Sequence, residues 1–285
     1  DRTLRGESIF VTEGRLLCRR LLASRFEAES VFVSEEYAEE FSRIVPEGVP
    51  LLVAPEPLLL AVVGFKFHRG ALAAGRRGPK LGLDEMLARA LRKGTVPFSA
   101  CPFGQADENW DSPPVIDAPL RLVVCPEITK PENMGLIFRT AAGLGLCGVL
   151  LGERSCDPFS RRCLRVSMGA VLDMPFVKST DLSADLGRLA DSWGVDLLAA
   201  VLDPAAETLR DIRWPRRAGV VFGNESEGLR QEWLALCPRR VTIPMHRSTD
   251  SLNLGVAAAI VMYEMMRELP LARLPDRRRG DILAE

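Results

Sequence analysis

Asn133 and Arg139 lie six residues apart in Pro131-Glu132-Asn133-Met134-Gly135-Leu136-Ile137-Phe138-Arg139-Thr140-Ala141. The apolar residues at 134, 137, 138, 141 and 144 form one helical stripe. Asn133 is a good N-cap for that helix, and Gly135 shares a face with Arg139 one turn on. A guanidinium is a poor base, with a pKa well above 12; its useful roles are positioning and electrostatic stabilisation of a developing anion. A second block, Ala218-Gly219-Val220-Val221-Phe222-Gly223-Asn224-Glu225-Ser226-Glu227-Gly228-Leu229, reads as strand, glycine turn and helix. Glycine at such a turn lets backbone approach a ligand closely. It is neither a dinucleotide fingerprint nor a lysine-bearing phosphate loop. A third block runs Ile243-Pro244-Met245-His246-Arg247-Ser248-Thr249-Asp250-Ser251-Leu252-Asn253, a strand end followed by a polar loop. The helix after it, Leu254 to Met266, carries one charge, Glu264. Ser251 is suited to cap that helix, which leaves Asn253 for another task. A helix apolar nearly all round must be buried, in a core or a dimer interface.

The elements that would position these residues follow from periodicity. Short aliphatic runs at Leu122–Cys125, Gly148–Leu151, Leu197–Val201, Val220–Phe222 and Val241–Ile243 alternate with helices, the pattern of a parallel sheet covered on both faces. Upstream, a helix over 12–24, a strand over 30–34, a helix around 35–44, a strand over 51–54 and a turn into a strand over 64–74 make a small α/β unit. This divides the chain into 1–78, a linker over 79–118, a main domain over 119–270 and a polar tail over 271–285. The linker holds a helix at Leu83–Leu91 and then an acidic, Pro- and Gly-rich stretch.

Composition bounds the rest. The 285 residues, 47% hydrophobic and 26% charged, describe an ordinary globular protein. The net charge of −1 argues against a broadly basic coat for nucleic acid. Only five basic residues are Lys, at 66, 80, 93, 130 and 178; Arg supplies the others and suits bidentate phosphate contacts. No apolar run approaches the roughly 20 residues that span a bilayer, and no export leader is visible, so neither membrane association nor export is expected. The seven Cys are scattered, lack a Cys-x-x-Cys and have only His68 and His246 beside them. No metal is therefore expected, and neutral thiols of a reducing cytoplasm are.

Taken in order over about half the chain, the three blocks resemble the three motifs of the SpoU/TrmH branch of the SPOUT superfamily of methyltransferases. The phrases Glu13-Gly14-Arg15 and Gly64-Phe65-Lys66-Phe67-His68-Arg69-Gly70 are similar to the small ribosomal-protein-type substrate-binding domain that precedes many such enzymes. The resemblance implies an α/β fold: a parallel-sheet SPOUT domain with a C-terminal trefoil knot, after that small α/β domain. It implies an RNA 2′-O-ribose methyltransferase using S-adenosylmethionine on rRNA or tRNA, working as a homodimer. On that resemblance Asn133, Arg139, Glu225, Ser251 and Asn253 are catalytic. Gly223, Asn224, Ile243, Pro244, Met245 and Leu252 hold the cofactor. Arg15, Arg69, Arg161, Arg162 and Arg165 meet RNA, the last three around the phrase Arg165-Val166-Ser167-Met168-Gly169-Ala170. Two alternatives stand beside this: a base-methylating SPOUT enzyme and an RNA-binding relative without transfer. Arg139 with Ser251 and Asn253 speaks against the first, and the joint presence of all five polar residues against the second. Glu127 and Glu132 make the approach to the first motif more acidic than an RNA backbone would favour, and His246 and Arg247 are bulky for their loop.

Overall fold

The computed structural model describes residues 8–63, 70–92, 118–245 and 251–269. The first stretch forms β1 (Ile9–Glu13), α1 (Arg15–Leu22), β2 (Ala28–Ser34), α2 (Ala38–Ser42), β3 (Leu51–Ala54) and α3 (Glu56–Val63), and β4 (Ala71–Arg76) follows. Their four strands make a mixed sheet in the order β1-β4-β2-β3. Helix α4 (Leu83–Arg92) comes next. The remaining elements are β5 (Leu120–Cys125), α5 (Pro131–Leu144), β6 (Gly148–Leu151), α6 (Arg161–Val166), α7 (Ala170–Asp173), β7 (Phe176–Lys178), α8 (Leu182–Asp191), β8 (Asp196–Ala200), β9 (Glu207–Thr208), β10 (Arg217–Phe222), α9 (Gln231–Ala235), β11 (Arg239–Thr242) and α10 (Leu254–Met266). They build a seven-stranded sheet, ordered β7-β6-β5-β10-β8-β11-β9, in which every pairing is parallel.

Every residue of β5 is buried, as expected when both faces of a parallel sheet are covered. Its side chains alternate between two cores. Val123 and Cys125 join Phe138 and Met262 in one; Leu122 and Val124 join Leu87 and Leu186 in the other. Helix α4, expected to belong to a linker, places Leu83, Met86, Leu87 and Leu91 in the second core. It is a packed layer of the main sheet.

The two sheets share the first core, which also takes in Phe10, Val31 and Phe41. The Phe10 ring stacks on Phe159 at 4.7 Å. Beside it, the buried Glu13 carboxylate receives Arg161 at 3.0 Å and Arg165 at 3.8 Å, and Arg77 reaches Asp157 at 2.7 Å. Arg20 donates to the carbonyl of Met168, a residue with φ of 51°. The phrase Arg165–Ala170, read as an RNA or partner contact, thus forms a turn on which α1 docks.

Other differences have local causes. The helix read over 12–24 begins only at Arg15, because Phe10, Thr12 and Glu13 belong to β1. Strands β7 and β9, of three and two residues, are too short for a periodicity to register. Residues 246–250 of the 243–253 loop, with His246 and Arg247, lie outside the described residues. So do Arg69, His68, the acidic stretch of the linker and the polar tail.

Candidate active site

A cavity of about 460 Å³ opens at the carboxyl ends of β8, β10 and β11, the edge at which parallel α/β sheets take ligands. Ala200, Val201 and Leu202 form one wall, Phe222 to Leu229 a second, and Val241, Ile243, Met245, Ser251 and Leu252 a third. Leu254, Ala257 and Val261 of α10 close the floor. Its size lies within the roughly 300–1,000 Å³ typical of small-molecule sites. The composition, apolar walls with a few convergent polar groups, is also that of such a site.

The second wall is a tight loop. Asn224 N–H donates to the Gly228 carbonyl at 2.8 Å, and Gly228 N–H to the Asn224 carbonyl at 3.0 Å. A Cβ on Gly223 would lie 2.3 Å from the backbone carbon of Gly228. The glycine is therefore demanded by the loop's closure on itself as well as by the cavity. No helix follows at once: Glu225 and Glu227 lie in the turn, and α9 starts only at Gln231.

Glu225 ties this loop to the first motif. Its carboxylate accepts from Asn133 Nδ2 at 3.0 Å, Lys130 N–H at 3.1 Å, and Thr129 N–H and Oγ1 at 3.3 and 3.0 Å. Burial pushes the carboxyl up, but the bonds from Asn133 and the main chain outweigh it and hold Glu225 below the usual carboxylate range. Asn133 Oδ1 in turn accepts from Asn253 Nδ2 at 3.0 Å. Asn253 Oδ1 receives the N–H groups of Gly255 and Val256 at 2.9 and 3.3 Å, capping α10.

Two expectations are corrected here. Asn133 is not a cap: Pro131 opens α5 with Lys130 at the cap position, a placement proline favours. The buried Asn133 amide is thereby free to join Glu225 to Asn253. Asn253, not Ser251, caps α10, while Ser251 lines the cavity. Gly135 also has a packing reason, since a Cβ there would meet Val166 at 2.8 Å, as one on Gly255 would meet Leu136 at 2.6 Å. These contacts pull α6 and α10 against α5.

Of the six residues read as cofactor-binding, Gly223, Asn224, Ile243, Met245 and Leu252 line the cavity; Pro244 is exposed between two of them. Arg139 is exposed one turn beyond Leu136, outside the cavity lining, and makes no hydrogen bond or ion pair among the described residues. The described arginines read as RNA contacts are each held by an acidic partner. Arg15 pairs with Glu40, Arg162 with Glu132 at 2.8 Å, and Arg161 and Arg165 with Glu13. Sequence reasoning missed the apolar lip of Val201 and Leu202, and it missed Glu127 and Arg230, paired at 3.1 Å. The oddly acidic approach was their one visible signal.

Burial raises the described thiols, Cys18 and Cys156 to about 12, so neither ionises near neutral pH. No helix of the described residues is long and apolar enough to cross a membrane.

A doubly covered parallel sheet with a cavity at its carboxyl edge defines an α/β domain built to hold a small ligand. Residues 120–263 match the model of the SpoU rRNA Methylase family, and the chain belongs to that family. It is similar to an uncharacterized tRNA/rRNA methyltransferase of Mycobacterium tuberculosis, 33% identical over 267 residues, covering 92% of this chain and 82% of the relative. It is also similar to the 23S rRNA (guanosine-2′-O-)-methyltransferase RlmB of Acinetobacter baylyi, 26% identical over 226 residues, covering 78% and 80%. Among solved structures, the AdoMet-bound rRNA methyltransferase from Sinorhizobium meliloti superposes with a TM-score of 0.70 at 22% identity, over 94% of this chain and 91% of that one.

Proposed function

We propose that this protein transfers the methyl group of S-adenosylmethionine to a ribose 2′-hydroxyl of rRNA or tRNA. The observation that carries the reading is the hydrogen-bonded chain Glu225–Asn133–Asn253, which joins the cavity wall to the helices that bear Arg139 and the cavity floor. RNA methyl transfer is the activity of the family. The 2′-oxygen as acceptor is supported by the RlmB relative, a guanosine-2′-O-methyltransferase, and S-adenosylmethionine as donor by the Sinorhizobium meliloti structure.

The cavity suits the donor chemically: Ile243 and Leu252 supply apolar walls for a base, and Glu225 and Glu227 place negative charge on the side that would take a sulfonium. Bound there, the donor supplies an electrophilic methyl. Backbone groups around Ile243 and Leu252 orient it, and the loop closed by Gly223 excludes water on the opposite side. Asn133 and Asn253 fix the first turns of α5 and α10 to each other, so the reacting groups stay in register. Arg139, exposed on α5, engages the RNA phosphate and stabilises negative charge as the 2′-oxygen gives up its proton. Ser251 stands at the cavity side of this junction, within the loop that faces the acceptor. A nucleoside digest of total RNA from a strain lacking the gene is expected to miss one 2′-O-methyl nucleoside. An unchanged nucleoside profile would overturn the assignment.

The small N-terminal sheet is the RNA-selecting unit in this reading, held at a fixed place by Glu13, Arg161 and Arg165. A homodimer through α10 is part of the same reading. The helix was expected to be covered by a core or a dimer interface, and within one chain Val256 (46% exposed), Ile260 (37%) and Tyr263 (61%) leave one apolar stripe uncovered. Tyr263→Asp is expected to convert a dimer into a folded monomer in light scattering after size exclusion. Met265→Asp, at a fully buried position, should unfold the chain instead. A wild-type monomer mass independent of concentration would contradict the dimer.

A further inference from the structure

The acidic residue that sits least comfortably beside an RNA site is Glu127, in the loop leaving β5. It is only 5% exposed, yet the carboxylate is fully engaged. One oxygen lies 2.8 Å from Arg154 Nη1 and the other 3.1 Å from Arg230 Nε. Its own carbonyl accepts from Asn224 Nδ2 at 3.0 Å. Arg230 directly follows Leu229, the last residue of the loop that walls the cavity. Asn224 stands at the loop's other end, and its Oδ1 receives Ser226 N–H at 2.8 Å. Glu127 therefore grips both ends of the 224–230 loop, the amide through its main chain and the guanidinium through its side chain. Glu225 supplies the third attachment, to residues 129–133. The base of the grip is itself firm: Ile128 N–H donates to Ser155 Oγ, and Ser155 Oγ to the Cys125 carbonyl, at 3.1 and 2.7 Å.

We propose that Glu127 is a positioning residue that latches the 224–230 loop against the end of β5 and so sets the shape of the cofactor cavity. The proposal rests on the donor occupying that cavity. Among the described residues the carboxylate makes no hydrogen bond or ion pair to a cavity-lining residue and acts through Arg230. Its bond to Arg154 is a different matter: Arg154 lies on the loop after β6, with a side chain 61% exposed, and does not line the cavity. The two partners of one carboxylate thus separate a cavity-shaping role from plain ion pairing. The Arg230 side chain is itself 40% exposed, so both pairs are screened by solvent; what separates them is that Arg230 closes the end of the cavity-walling loop and Arg154 does not.

The test uses Glu127→Gln, Arg230→Gln, their double variant and Arg154→Gln, in the full chain. Hydrogen exchange without cofactor reads the latch alone. The Asn224 and Gly228 amides, bonded to each other's carbonyls, should exchange at least about fivefold faster in Glu127→Gln and Arg230→Gln and remain at the wild-type rate in Arg154→Gln. Titration calorimetry with S-adenosylmethionine should show each of the first two weakening affinity about tenfold, the double variant no more than either alone, and Arg154→Gln within about twofold of wild type. Turnover at saturating donor should stay within about twofold of wild type in Glu127→Gln, the split expected when only donor binding is affected. Unchanged exchange in Glu127→Gln, or losses that multiply in the double variant, would overturn the latch. Absence of donor binding by the wild-type protein would refute the cavity assignment itself, while the exchange rates would still decide the latch.

Discussion

Arg139→Ala is expected to reduce methyl transfer by far more than about tenfold, a barrier increase above about 1.4 kcal/mol, while donor affinity stays within about twofold. Arg139 is exposed and makes no bond among the described residues, so its removal leaves no buried partner stranded. It lies outside the cavity lining, so donor binding should not register the change. A loss confined to turnover is the signature of an interaction made with the acceptor in the transition state. Single-turnover rates with saturating donor and calorimetry on the same preparation decide the matter. A variant that kept more than about a tenth of the rate would remove Arg139 from the reaction.

The second large effect is expected at Asn133. Asn133→Leu keeps the branching and the number of side-chain heavy atoms but strips two hydrogen bonds from a side chain only 3% exposed. Glu225 loses one of its donors and Asn253 Nδ2 its acceptor. Stability should fall by roughly 1–3 kcal/mol, the order of the two lost bonds, because Asn253 is exposed and Glu225 keeps its donors from Thr129 and Lys130. Transfer should also drop, because α5 and α10 are no longer held in register. A pH dependence follows from Glu225. Its folded pKa is depressed, so its contribution to stability is complete above the usual carboxylate range and is lost as pH falls through the lower folded value. Without the Asn133 bond the folded value moves back toward the ordinary one, and the acid-side loss shrinks. Urea unfolding across the acid range measures both. Equal stability of variant and wild type at neutral pH would mean the amide chain is incidental.

Much of this arrangement was legible because it depends on local pattern. Leu122–Cys125 and Gly148–Leu151 read as strands since a doubly covered parallel sheet needs continuous aliphatic runs, and the structure places strands there. The cavity residues from Gly223 to Leu252 were legible because a glycine loop and a polar loop after a strand end are local features. What escaped was tertiary. Asn133 looks like a cap in any sequence, and only the position of Pro131 and the distant Glu225 assign it otherwise. Glu127 looked like a misplaced charge until Arg154 and Arg230, 27 and 103 residues further along, came to it. The packing of the Arg165–Ala170 phrase could not be read because its partners, Glu13 of β1 and Arg20 of α1, lie about 150 residues earlier in the chain. Helix α4 looked like linker because the strands it packs on, β6 and β7, lie more than fifty residues further along.

The account turns on which atom receives the methyl group, and alkaline hydrolysis reads that directly. A 2′-O-methyl group removes the nucleophile that alkali uses to cleave the adjacent phosphodiester, so the bond survives. RNA from a strain lacking the gene is incubated with the purified protein and methyl-labelled S-adenosylmethionine, then hydrolysed in alkali and separated by charge. The label is expected in alkali-resistant dinucleotides. Label recovered in mononucleotides would mean a methylated base, and no incorporated label would mean no transfer; either result contradicts 2′-O-methyl transfer by this protein.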